Sequence, residues 1–295
     1  FSFSTSLQSA VRAQATFGPD GLTGSLETGP CDEVSDLILI TPHRAPIRVR
    51  LGENGQFEAR SSDILSPGQF TDSAIVSDDQ QRRRQVLEAL FDPEDGWNPS
   101  ARATLLAWTK PLDLPFQLND PDHSSGSALL SVPVRLYRPE AGSRVSIPTV
   151  MNSFRVVPAA DGTMSSAYSN TQQKWVGELS AATHAKLRVQ IPSEVVPLQL
   201  ESLNVKISLK APQRLLQFVG HQDAKDLVLG EKQSPVGTLE LELPANEFLQ
   251  VDQEGGILLT LKIGPHPNEA SGNIAEVGWK IDDLSFGVKG VVQAP

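Results

Sequence analysis

The chain of 295 residues is long enough for one large β-sandwich or two smaller domains, and either buries a sizeable core. Its formal net charge of −10 argues against a nucleic-acid groove or an anionic membrane surface, both of which need a basic footprint. Gly and Pro, 22 of each, show no collagen period, and 11 Phe, 4 Trp and many Val, Leu and Ile exclude global disorder.

Gly18-Pro19-Asp20-Gly21 separates Val11 to Phe17 from Leu22 to Thr28, which reads as two strands around a tight turn. Cys31 is the single cysteine, so no internal disulfide forms and a disulfide-stapled extracellular module is excluded. Leu37-Ile38-Leu39-Ile40 is strand-length, and no apolar run approaches the roughly 18 residues of a membrane-spanning helix. The chain opens at Phe1 with neither Met nor a signal-like segment, as expected of a processed chain or an excised part of something longer.

Ile47, Val49 and Leu51 alternate with Arg48 and Arg50, Asn54-Gly55 supplies the positive φ values of a type I′ turn, and Gln56 to Arg60 returns. Arg48 and Arg50 then share a polar face as a solvated row that discourages edge pairing. One short helix is expected near 78–91. Ser77 and Gln80 have capping-box spacing, Asp78 and Asp79 suit the positive helix N-terminus, and Val86, Leu87, Leu90 and Phe91 form an apolar stripe. Arg82-Arg83-Arg84 fans across about 200° of that helix and makes no flat basic surface.

Residues 92–99 and 111–126 read as loops around a strand from Ala103 to Thr109. Leu130, Val132, Val134 and Leu136 alternate as a strand whose Pro133 points to an edge or bulge position. Residues 144–157 add one or two strands, and the polar stretch 158–170 reads as a connector. The expected division is therefore an N-terminal β domain with one helix, 1–160, and a C-terminal antiparallel sandwich, 161–295, unless the two are continuous. In the latter, Leu187/Val189/Ile191, Leu203/Val205/Ile207/Leu209, Leu239/Leu241/Leu243 and Ile257/Leu259/Leu261/Ile263 alternate with mainly polar neighbours, as strands with one wet face do. No fixed-period repeat is present.

The last segment changes face within itself. Trp279 and Ile281 lie on one parity of the pleat and Leu284, Phe286 and Val288 on the other, so a bulge must absorb one residue at Asp282-Asp283. Gly278-Trp279-Lys280-Ile281-Asp282-Asp283-Leu284 resembles the closing strand of jelly-roll and galactose-binding-like modules, in which an aromatic-x-I-D-D-[VL] pattern ends the sandwich. That resemblance covers the final segment alone and implies a non-catalytic carbohydrate-binding or adhesion domain, in some cases with a structural calcium.

No G-x-S-x-G, H-E-x-x-H, P-loop, G-x-G-x-x-G or paired C-x-x-C signature is present. The five histidines are scattered singly, and four have Pro, Gly or Asp within two residues, so surface loops are expected for them rather than zinc. Calcium takes oxygen ligands from acidic turns, which makes Glu276, Asp282 and Asp283 candidate ligands, with solvated turns as the plainer reading. Trp97, in Asp95-Gly96-Trp97-Asn98-Pro99, is a candidate sugar-stacking platform, whereas Trp108 and Trp279 are expected in the core.

These features converge on an all-β protein, an antiparallel β-sandwich of one or two jelly-roll-like units with one short helix. The expected role is a non-catalytic structural or interaction domain, the soluble extracytoplasmic part of a larger cell-envelope or surface protein. Its expected partner is a protein or a second copy of itself, with no cofactor, no nucleic acid and no membrane insertion by this segment. The alternatives are a carbohydrate-binding module that binds a glycan through Trp97, Asp282 and Asp283, and a hydrolase whose paired acids meet across a cleft at about 5 or 6.5–9.5 Å.

Overall fold

A computed structural model describes residues 10–41, 46–65, 77–91, 102–111, 127–159, 161–222, 225–268 and 277–295. The chain divides into two compact units between Arg138 and Pro139. Both are built of β-strands, with one α-helix among the described residues, in agreement with the all-β reading.

In the first unit the strands are β1 (Arg12–Gly18), β2 (Gly21–Glu27), β3 (Ser35–Ile40), β4 (Pro46–Arg48), β5 (Arg50–Leu51), β6 (Gln56–Arg60), β7 (Thr104–Thr109) and β8 (Ala128–Tyr137). They form one sheet in the order β4-β3-β7-β8-β1-β2-β6-β5. β1 and β2 make the expected hairpin, closed at Gly18 opposite Gly21. Asn54 and Gly55 adopt φ of 66° and 73°, the left-handed geometry expected at that turn. The hairpin arm preceding it is split, however. Leu51 pairs with Phe57, whereas Ile47 turns away to pair with Leu39.

Pro133 does not mark an edge. β8 pairs antiparallel with β7 through residues 128–133 and parallel with β1 through 134–137, so the proline sits where the strand exchanges partners. A missing N–H is tolerated at such a handover. The helix α1 (Asp78–Leu90) begins as expected, with the Ser77 hydroxyl accepting from the Gln80 N–H at 3.2 Å. It lies on β3 and β7, with Leu87 buried against Ile38, Ile40, Leu65, Leu106 and Trp108, and Leu90 and Phe91 packed beside them. That cover buries Leu106 and Trp108 on one face of β7, a strand whose six residues are all buried. Val86, expected in the stripe, is exposed. Arg83 is not merely solvated: its guanidinium lies over the Trp108 ring at 5.4 Å and donates to Asp36 at 2.9 Å.

The second unit contains β9 (Arg144–Ile147), β10 (Ser153–Val157), β11 (Tyr168–Ser169), β12 (Lys174–Trp175), β13 (Thr183–Gln190), β14 (Leu198–Lys210), β15 (Leu215–Gln222), β16 (Lys225–Gln233), β17 (Val236–Pro244), β18 (Gly256–Ile263) and β19 (Lys280–Val292). A four-stranded sheet, β17-β14-β19-β9, and a five-stranded sheet, β10-β13-β18-β15-β16, are both antiparallel, with β11-β12 as a small ribbon. The alternating positions read from the sequence supply the core: Leu187, Val189, Leu203, Ile207, Leu259, Leu261 and Phe286 are all buried. β9 pairs with β19 and β10 with β13, so residues 144–157 belong to this unit and the division falls N-terminal to the expected one at 160.

Candidate functional site

The strand β19 carries the expected bulge. Ser208 faces Asp283 and Leu209 faces Ile281, which leaves Asp282 as the extra residue and turns Ile281 and Leu284 both inward. Trp279 is buried and its indole N–H donates to the Ala181 carbonyl at 2.8 Å. Asp282 is held 2.7 Å from the Lys280 ammonium. Partial burial pushes the Asp283 carboxyl above the usual carboxylate range, against the opposing pull of the Leu284 N–H and Lys206. Two lysines therefore stand beside the two carboxylates, and the two aspartates on their own supply fewer oxygens than the six to eight that calcium takes. Among the described residues no three His, Cys, Asp or Glu side chains converge as a metal site. Trp97 and Glu276 lie outside the described residues.

The denser polar arrangement lies on the outer face of the five-stranded sheet, where side chains of alternate residues on β13, β18, β15 and β16 align across strands. Thr260 Oγ lies 2.6 Å from His221 Nε2, and His221 Nδ1 lies 2.7 Å from Asp226 Oδ1. Lys262 Nζ lies 3.4 Å from the other carboxylate oxygen of Asp226. The His221 bond, followed by Lys262, holds the Asp226 carboxyl below its usual range. Hydroxyl, imidazole and carboxylate in that order are the parts of a nucleophile, base and orienter. Here Thr260 as a residue is only 5% exposed, and the cluster ties three strands together.

Beside it, across β13, is a cavity of about 190 Å³ whose wall includes Thr163, Ser165, Ser166, Thr183, His184 and Lys186. Lys186 is the direct cross-strand neighbour of Thr260, and His184 of Lys262. His221 thus sits in a strand, contrary to the loop placement expected from its flanking residues, and His184, the one histidine without Pro, Gly or Asp nearby, sits in a strand as well. The signal available in the sequence was alternation: Thr183, Ala185, Leu187 and Val189 share one parity, and His184, Lys186 and Arg188 the other. No comparable pattern announces that Thr260, His221 and Asp226, from three strands, meet.

No family model and no curated protein matches the sequence. Among solved structures, the chain is similar to two of infectious bursal disease virus. The Gt strain shares 12% identity over 95% of this chain and 70% of that one, with a TM-score of 0.19. The Gx strain shares 11% over 96% and 72%, also at 0.19. A DUF3823 family protein from Bacteroides ovatus shares 13% over 86% and 98%, at 0.12. At these scores the strand pairings themselves, not the likenesses, define the fold. No described helix is long and apolar enough to cross a membrane.

Proposed function

We propose that the chain is a structural or interaction domain of a larger envelope or surface protein, located outside the cytoplasm, and that it associates with a second copy of itself through β16. The supporting observation is a contrast between the two edges of one sheet. At β10 the side-chain amide of Asn170 accepts from the Val156 N–H at 2.9 Å and donates to the Val156 carbonyl at 2.8 Å, closing the edge as a partner peptide would. At β16 eight of the nine residues pair with β15 on one side, and Leu227 and Val228 are 40% and 46% exposed. An open apolar edge is a template for strand addition.

The sequence of β16 matches itself in antiparallel register about Val228. That two-fold sets Val228 against Val228, Leu227 against Leu229, Lys225 against Glu231 and Asp226 against Gly230, so the apolar residues and one charge pair find complements. The β15–β16 bulge, at Leu229, adds twist one residue beyond the axis. The burial of Thr260, which leaves little approach for a substrate, supports a non-catalytic role. Light scattering on the purified chain tests the proposal: a species of twice the 31.8 kDa chain mass is expected to grow with concentration and to be lost in Val228→Lys. A monomer throughout, or a dimer unaffected by Val228→Lys, overturns it.

A further inference from the structure

The cavity beside β13 is built for negative charge. Its named polar wall carries four hydroxyls, one imidazole and one ammonium, and no lining residue is acidic. Lys186 is the cationic side chain of this wall, in a chain whose net charge is −10. Ser165 Oγ accepts from the Ala167 N–H at 3.4 Å, so its own proton is directed elsewhere. Just outside the wall, Asp161 accepts from the Thr163 N–H at 3.0 Å and from its hydroxyl at 2.7 Å. Those bonds, with His184 as a lesser contribution, hold the Asp161 carboxyl below its usual range, and they occupy the Thr163 hydroxyl proton. A cavity volume near 190 Å³ lies below the roughly 300–1,000 Å³ of drug-sized ligand pockets, which suits a small molecule.

We infer that this cavity binds a small oxyanion, the carboxylate or phosphate of a molecule no larger than a hexose, through a charge-assisted hydrogen bond from Lys186, with the His184 ring N–H and the Ser165, Ser166 and Thr183 hydroxyls as further donors. The inference is independent of the β16 edge and survives the failure of self-association. The two sources of the anion are separable by probe, because free phosphate and a sugar acid present the same charge on different bodies.

Calorimetric titration of the full chain with inorganic phosphate, with glucuronate and with neutral glucose tests it. One-to-one binding of at least one oxyanion is expected, with glucose giving no heat, and Lys186→Met weakening the affinity at least tenfold while the thermal melt stays unchanged. The pattern of response to phosphate and glucuronate then names the source. If Lys186→Met melts early, His184→Gln serves in its place, with weakening of the same sign expected. Failure of both oxyanions to bind overturns the inference, as does binding that ignores these substitutions or an equal affinity for glucose.

Discussion

Arg214 is fully buried and its guanidinium donates to backbone carbonyls: to Gly264 at 2.8 Å, to Val277 at 2.8 and 3.3 Å, and to Ser180. Removing it strands several buried acceptors, each costing about 1–3 kcal/mol. Arg214→Met is therefore expected to destabilise the second unit by about 3 kcal/mol or more in urea denaturation. Asp283 works in the opposite direction. Its carboxyl is raised in the fold, so ionisation is disfavoured there, and stability present below the unfolded value of about 3.9 is lost as pH rises through the folded one. Asp283→Asn is expected to raise the melting temperature at neutral pH, by less than about 1 kcal/mol equivalent because the group is partly screened by solvent. The gain should disappear in acid below both values, and a variant less stable than wild type at neutral pH contradicts the assignment. The sequence marks Asp283 through the change of parity around it, a purely local signal. Nothing local marks Arg214, whose partners lie 34–63 residues away.

Individual elements follow their local chemistry where one neighbour decides and depart from it where several do. α1 forms where its cap and acidic first turn predict, and its stability rests on Leu87, at the centre of a buried cluster. Leu87→Ala should cost about 2–5 kcal/mol and Ser77→Ala about 1, measured by denaturation monitored at Trp108, which sits in the same cluster. A comparable loss from Val86→Ala would contradict the packing, since Val86 is 43% exposed. Its exposure shows the limit of periodicity: a stripe wide enough for four residues was legible, but only contact with β3 and β7 selects which of them are covered. Pro133 shows the same limit for strands. The missing donor is readable, yet an edge, a bulge or an exchange of partners each satisfies it.

For the whole molecule, the division between Arg138 and Pro139 assigns β9 and β10 to the C-terminal unit. A fragment of residues 139–295 is expected to melt cooperatively, whereas 161–295 lacks Val145, Ile147 and Val156 from the core and the Phe154 ring, 5.6 Å from that of Phe286, and should melt earlier or aggregate. Equal melting of the two fragments would place the boundary nearer 160. The polar stretch 158–170 looked like a connector because its composition is that of a loop. Its Asn170 instead closes a sheet edge inside the unit.

By itself the sequence determined the all-β class, the helix with its cap, the Asn54-Gly55 turn, the alternating core rows of the C-terminal strands and the bulge in β19. Each of these rests on side-chain period or on the conformational preference of a residue and its near neighbours. Tertiary structure alone decided that Thr260, His221 and Asp226 meet, that Lys186 and His184 border one cavity, and that Asn170 bonds the β10 edge at Val156 while β16, among the described residues, is paired on one side. Those juxtapositions depend on strand order and register, set by the summed burial of many apolar side chains distant in sequence, and no short stretch of sequence encodes them.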